Sequence, residues 1–95
     1  MARARIQVDP VDAGTFRVTV SEGGGRTVHT VTVDPAYHRR LTGGAVSTED
    51  LVRRSFEFLL AREPKESILG SFALSVISRY FPDYETEIAR HVRAG

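Results

Sequence analysis

Two stretches near the start of the chain, RIQVD at 5–9 and FRVTVS at 16–21, alternate apolar and polar residues with a period of two. That is the period of a β-strand whose two faces meet different surroundings. Ile6 and Val8 fall on one side, with Arg5, Gln7 and Asp9 on the other. Phe16, Val18 and Val20 oppose Arg17, Thr19 and Ser21 in the same way. Between the stretches lies DAG at 12–14. A three-residue turn there, type I with a glycine bulge at Gly14, pairs Val11 with Thr15. Pro10 then faces Phe16, Val8 faces Val18 and Ile6 faces Val20. Every pair on that side is apolar, while the other side matches Asp9 with Arg17 and Gln7 with Thr19. A slip of one residue would turn one strand inside out, so this agreement specifies the register. Pro10 has no N–H to donate, which makes the first strand an edge.

The next turn carries EGGGR at 22–26. A phosphate-binding loop would need a Lys-Ser/Thr ending and a following helix. The strand pattern TVHTVTV at 27–33 follows instead, so that reading is rejected. Pairing Glu22 with Thr27 sets Val20 opposite His29, Val18 opposite Val31 and Phe16 opposite Val33. The result is a three-stranded antiparallel meander. One face is apolar, and the other carries Arg5, Arg17, Thr19, Thr30 and Thr32. Strand 27–33 is β-branched, uncharged and free of proline. An edge of that kind invites another strand, from a partner protein or from a second copy in a homodimer.

The rest of the chain reads as helical. Asp34 caps a short helix that has Pro35 at its first position and ends at Gly43 and Gly44. Ser47 caps the main helix, with Asp50 three residues on in a capping-box-like position and Val46 and Leu51 as the hydrophobic staple. In that helix Leu51, Val52, Ser55, Phe56, Phe58, Leu59 and Leu60 cover more than one narrow stripe, so it is expected to be buried on two sides. Glu49–Arg53 and Asp50–Arg54 form i,i+4 pairs on its outer side. Pro64 breaks the helix. A short helix over 64–72 presents Ile68 and Leu69. Leu74, Ile77 and Phe81 follow at helical spacing, and Pro82 opens a last helix with Tyr84, Ile88 and Val92 in a stripe.

Ninety-five residues make one small domain, with a hydrophobic fraction of 41% that suffices for a single core. Stability must come from that core, because the chain has no cysteine and so neither disulfides nor thiolate metal sites. No apolar run approaches the roughly 20 residues that span a bilayer. MARARIQV also lacks the apolar block of a signal peptide, so the cytoplasm is the expected compartment. A net charge of +1, from 13 basic and 12 acidic residues, is too balanced to announce a nucleic-acid partner.

The densest group of reactive side chains is PAYHRRLTGG at 35–44, with Tyr37, His38, Arg39 and Arg40 in a row. These four and His29 are the candidate binding residues. The bland account makes the cluster the end of a helix, where cations complement the dipole by about 0.3–1 kcal/mol. That account leaves one of the two arginines unexplained. His29 falls on the apolar face, where a buried histidine bonded to main chain is the default. Arg3, Arg5 and Arg17 are candidate nucleic-acid contacts, helped by Arg39 and Arg40. The open sheet face has no aromatic residue on which a base could stack. No catalytic residue is assigned, since no serine sits in a nucleophile turn and Ser67, Ser71, Ser75 and Ser78 lie in helical segments. No metal or cofactor site is expected either, since Asp34/His38 and Glu87/His91 are only pairs.

The stretch LTGGAVSTEDLVRRSFEFLLAREPKESIL, with RYFPDYETEI after it, resembles small uncharacterised prokaryotic proteins classed as domains of unknown function. The resemblance implies a compact intracellular α+β domain and brings no site residue with it. The expected fold is α+β, β-β-β-α-α-α-α, with the helices on one face of the meander. The expected function is a non-enzymatic protein-interaction or regulatory module, with a homodimer joined through strand 27–33 or the first helix as one form. The alternatives are a weak nucleic-acid-binding domain, and a small ligand-binding protein or hydrolase.

Overall fold

A computed structural model describes residues 4–94 of the chain. Three strands, β1 (Arg5–Asp12), β2 (Thr15–Glu22) and β3 (Gly25–Thr32), lead into helices α1 (Pro35–Thr42) and α2 (Thr48–Leu60). A 3₁₀ turn at Lys65–Ser67 precedes a short fourth strand, β4 (Ser71–Ala73). A second 3₁₀ turn at Leu74–Val76 then runs into α3 (Ile77–Tyr80), and α4 (Tyr84–Ala94) closes the chain. The sheet order is β1-β2-β3-β4, with the first three strands antiparallel and β4 parallel to β3. The class is therefore α+β, with one strand more than the sequence pattern contains. Its parallel pair is joined through α1 and α2, the long crossover that parallel strands require.

The β1–β2 register is the expected one along the apolar face, with Ile6 opposite Val20, Val8 opposite Val18 and Pro10 opposite Phe16. The turn differs. Asp12 pairs with Thr15, and the register shifts between Pro10 and Asp12, so Val11 bulges out of the ladder rather than facing Thr15. Pro10 already lacks an N–H at this point, and an edge strand tolerates a bulge there. Only Ala13 and Gly14 remain for the turn. Gly14, at φ +87°, supplies the left-handed residue.

The β2–β3 register corrects the sequence expectation by two residues. Glu22 pairs with Gly25, Val20 with Thr27, Val18 with His29 and Phe16 with Val31. Gly23 and Gly24, at φ +59° and +82°, close a two-residue turn. Two consecutive positive φ angles make the turn that matches the right-handed twist of a hairpin, and it wins over a longer loop. A shift of two leaves the inward set unchanged. It moves His29 from the end of the sheet to its middle.

Residues 64–72 also depart from expectation. No helix presents Ile68 and Leu69. Ile68 is buried, Leu69 is 47% exposed, and the chain extends after the 3₁₀ turn to lie along β3. The Thr30 N–H donates to the Gly70 carbonyl at 2.8 Å. Ser71 therefore lies in a strand, not in a helical segment. The uncovered main chain of β3 has taken a strand from its own chain. Pairing covers Thr30–Thr32, so strand 27–33 is only partly an open edge.

The core lies between the sheet and the helices. Val8, Phe16, Val18, Val20 and Val31 come from the strands, and Leu51, Val52, Phe56 and Leu59 from α2. α2 is buried on two sides, as its broad apolar surface implies. Phe56 meets His29 of β3 at 5.3 Å and Phe72 of β4 at 6.0 Å between ring centres. Phe58 points the other way and meets the Tyr84 ring of α4 edge-on at 5.3 Å. Each such pair adds about 0.5–1.5 kcal/mol beyond area burial. Tyr84, Ile88 and Val92 form the buried stripe of α4. The Tyr84 hydroxyl sits 2.6 Å from Ser55 Oγ, which also donates to the Leu51 carbonyl.

Both helix starts are capped as expected. Asp34 accepts from the Ala36 N–H, and Ser47 accepts from the Asp50 N–H. The Asp50 carboxylate does not complete a capping box, because it pairs with Arg54 at 2.8 Å. Arg53 does not join Glu49. Its guanidinium crosses to the sheet and donates to the Ile6 carbonyl of β1. Lys65, the only lysine in the chain, is 7% exposed. Its ammonium lies against Gly25 of the second hairpin and pairs with Glu66 at 2.8 Å.

Candidate functional site

The Tyr37–Arg40 cluster is a clamp between α1 and α4. Tyr37 donates its hydroxyl to the Glu85 carboxylate at 2.9 Å, and Arg40 reaches both oxygens of the same carboxylate at 3.4 and 3.2 Å. The Arg40 guanidinium also lies 5.1 Å from the centre of the Tyr37 ring. The second arginine that a helix end does not need is thus used on the first turn of α4. Burial, and then the bond to Glu85, push the Tyr37 phenol well above its ordinary value of 10.0. His38 turns away from its neighbours, and its Nε2 bonds the Val46 carbonyl at 2.7 Å. Arg39 stays exposed on the surface of α1. The four residues therefore do not converge on one cavity.

His29 is buried at 2% exposure, with both ring nitrogens engaged. Nδ1 lies 2.7 Å from the Leu69 carbonyl, so it donates, and Nε2 accepts from the Thr27 hydroxyl at 2.8 Å. One tautomer satisfies both bonds. The expected main-chain bond is present, but its acceptor lies forty residues away rather than in the adjoining turn. His29 pins the segment before β4 onto the sheet.

Of the candidate nucleic-acid contacts, Arg5 and Arg17 share the open sheet face as expected, with Arg39 and Arg40 apart from them in the helical layer. Arg3 lies outside the described residues. The paired acids and histidines are also separated. Asp34 caps α1 while His38 bonds Val46, and Glu87 pairs with Arg90 while His91 lies 3.3 Å from Arg54. Among the described residues no three His, Asp or Glu side chains converge as metal ligands. None of the buried side-chain polar atoms described lacks a partner.

A feature absent from the sequence reading is a groove of about 280 Å³ between the end of α2, β4 and α3. Leu69, Phe72, Ile77, Tyr80 and Phe81 line it, with Glu63 as its one charged residue. Tyr80 is 66% exposed there, the most exposed large apolar or aromatic side chain described. β4 is the last strand of the sheet, and its alternation decides which main-chain groups are free. Gly70 faces β3, so Phe72 does as well, while the N–H and C=O groups of Ser71 and Ala73 point away from it. The Phe72 side chain turns inward to the groove. A bare strand edge and an apolar groove thus lie side by side. Neither was legible beforehand, because three residues carry no readable period. The remaining signal was Leu69, whose apolar side chain follows buried Ile68 without a helical partner.

A second groove, between α2 and α4, contains Arg54, Arg62 and Arg90. Asp50, Asp83 and Glu87 neutralise them in turn, so it offers no anion site. Among the described residues no helix is long and apolar enough to cross a membrane. Comparison with protein-family models, with curated proteins and with solved structures finds no match for this chain in any of the three.

Proposed function

We propose that the protein is a non-enzymatic interaction module that receives an extended segment of a protein partner along its β4 edge. The observation that carries this reading is the pairing of outward-facing main-chain groups at Ser71 and Ala73 with an adjoining apolar groove. Main-chain bonds to an edge supply affinity, and pockets beside it read alternate side chains. The expected edge at strand 27–33 becomes the seat of β4, and the docking surface moves one strand outward. The same edge serves a homodimer if the segment comes from a second copy. Engagement of both His29 ring nitrogens in structural bonds supports a binding role over catalysis at that residue. Among the described residues, the open sheet face that carries Arg5 and Arg17 offers no aromatic ring for base stacking, which gives the nucleic-acid reading less support.

Ala73→Pro tests this directly. Ala73 has φ −80° and ψ 141°, a backbone that proline adopts without strain. The substitution removes one outward N–H and leaves the bonds to β3 intact. The expected result is a folded protein that no longer binds a strand-forming peptide. A variant that binds as well as the parent rules out strand addition at β4. Light scattering on both proteins distinguishes the homodimer, since only the parent would associate.

A further inference from the structure

We propose that the groove beside β4 makes the module selective for a segment carrying an apolar side chain and a basic side chain two residues apart. This rests on docking along β4 and adds the chemistry of the partner. In the sheet, Phe16, Val31 and Phe72 form one inward-facing row across β2, β3 and β4. A fifth strand would place its next inward residue beside Phe72, at the groove. The wall there is apolar and aromatic, from Leu69, Ile77, Tyr80 and Phe81, and suits a leucine-sized or aromatic side chain.

Inward positions of a strand recur every second residue, about 7 Å apart, so the neighbouring inward side chain also reaches the groove. Its one charged residue is Glu63. The cations nearest to Glu63 in the chain are used elsewhere. Arg62 pairs with Asp83 and stacks on the Phe58 ring at 3.6 Å, and Lys65 pairs with Glu66. Among the described residues Glu63 has no hydrogen-bond or ion-pair partner for its carboxylate. A guanidinium or ammonium on the partner complements that charge, and an acidic residue there meets a like charge over a low-dielectric wall.

The test uses fluorescein-labelled hexapeptides of alternating threonine and apolar residues, each with one leucine. Arginine, glutamine or glutamate occupies the position two residues from the leucine, on either side of it. Binding is read by anisotropy and by amide shifts of Ser71 and Ala73. The arginine peptide is expected to bind about fivefold more tightly than the glutamine peptide, and the glutamate peptide more weakly than both. Glu63→Gln should bring the three within about twofold, and Glu63→Lys should reverse their order. Equal binding of all three by the parent, with Ser71 and Ala73 shifting, overturns the selectivity and leaves the edge reading standing. Charge-dependent binding that survives main-chain N-methylation of the peptide, without shifts at Ser71, overturns strand addition but keeps the groove. Binding of none of the peptides overturns both.

Discussion

The two edges of the sheet are finished in opposite ways. β1 carries Pro10, a bulge at Val11 and the charged residues Arg5, Asp9 and Asp12, and the Arg53 guanidinium occupies its Ile6 carbonyl. Each of these is a known means of keeping a strand edge from recruiting another. β4 has none of them. It reads Ser-Phe-Ala, with exposed Leu69 before it and the groove beneath. A chain that closes one edge so thoroughly and leaves the other bare differs from one that neglects both. That difference favours docking at β4 over general stickiness.

The comparison can be broken at either edge. The largest effect is expected from His29→Ala, which removes the bond to Leu69 and the contact with Phe56. A loss of about 2–4 kcal/mol is expected, read from urea denaturation. Hydrogen exchange should show the Thr30 amide deprotected first, because its acceptor Gly70 is released with β4. If the β1–β2 amides open equally early, β4 is not a separable edge. Arg53→Ala should cost less, about 1–2 kcal/mol, and should add concentration-dependent association through the exposed Ile6 carbonyl. A variant that stays monomeric in sedimentation would show that Pro10 and the bulge protect β1 unaided.

Alkaline titration probes the helical layer, which serves neither edge. Burial raises the Tyr84 phenol, and Tyr37 is raised by burial and Glu85. In the unfolded chain both phenols ionise near pH 10, while the folded protein holds their protons to higher pH. The unfolded state therefore binds fewer protons above that point. Stability is intact below pH 10 and falls as pH rises beyond it. The urea midpoint at pH 9, 10 and 11 measures this, and Tyr37→Phe with Tyr84→Phe should flatten the decline. Ala73→Pro should have the smallest effect, a stability change within about 1 kcal/mol, since its backbone already fits proline. A larger loss would mean that the Ala73 N–H is used within the protein.

How far the sequence foretells these features depends on what each signal can distinguish. The β1–β2 register is legible because both faces are encoded, apolar against apolar and Asp9 against Arg17. The β2–β3 register is not, because a period of two cannot tell a pairing from one shifted by two. The geometry of Gly23 and Gly24 decides it. Helix starts at Asp34 and Ser47 are legible since caps are local. Arg40 with Glu85, and His29 with Leu69, join residues at least forty apart, and nothing within either segment signals the other. The groove beside β4 is lined by residues between 59 and 81, but β4 itself has only three residues and so no period from which its pairing with β3 could be read.

Lys65 gives the molecule a built-in reporter. Since it is the one lysine, a reagent that acylates lysine side chains has a single side-chain target, and that target is held against the second hairpin beside Gly25. Its modification rate measures how often the 65–67 turn lifts from the sheet, the same opening that would release β4. Under fast reclosing the rate scales with the population of the open form. A bound strand segment should slow acylation without touching Lys65, so the residue reports on occupancy of a site it does not line.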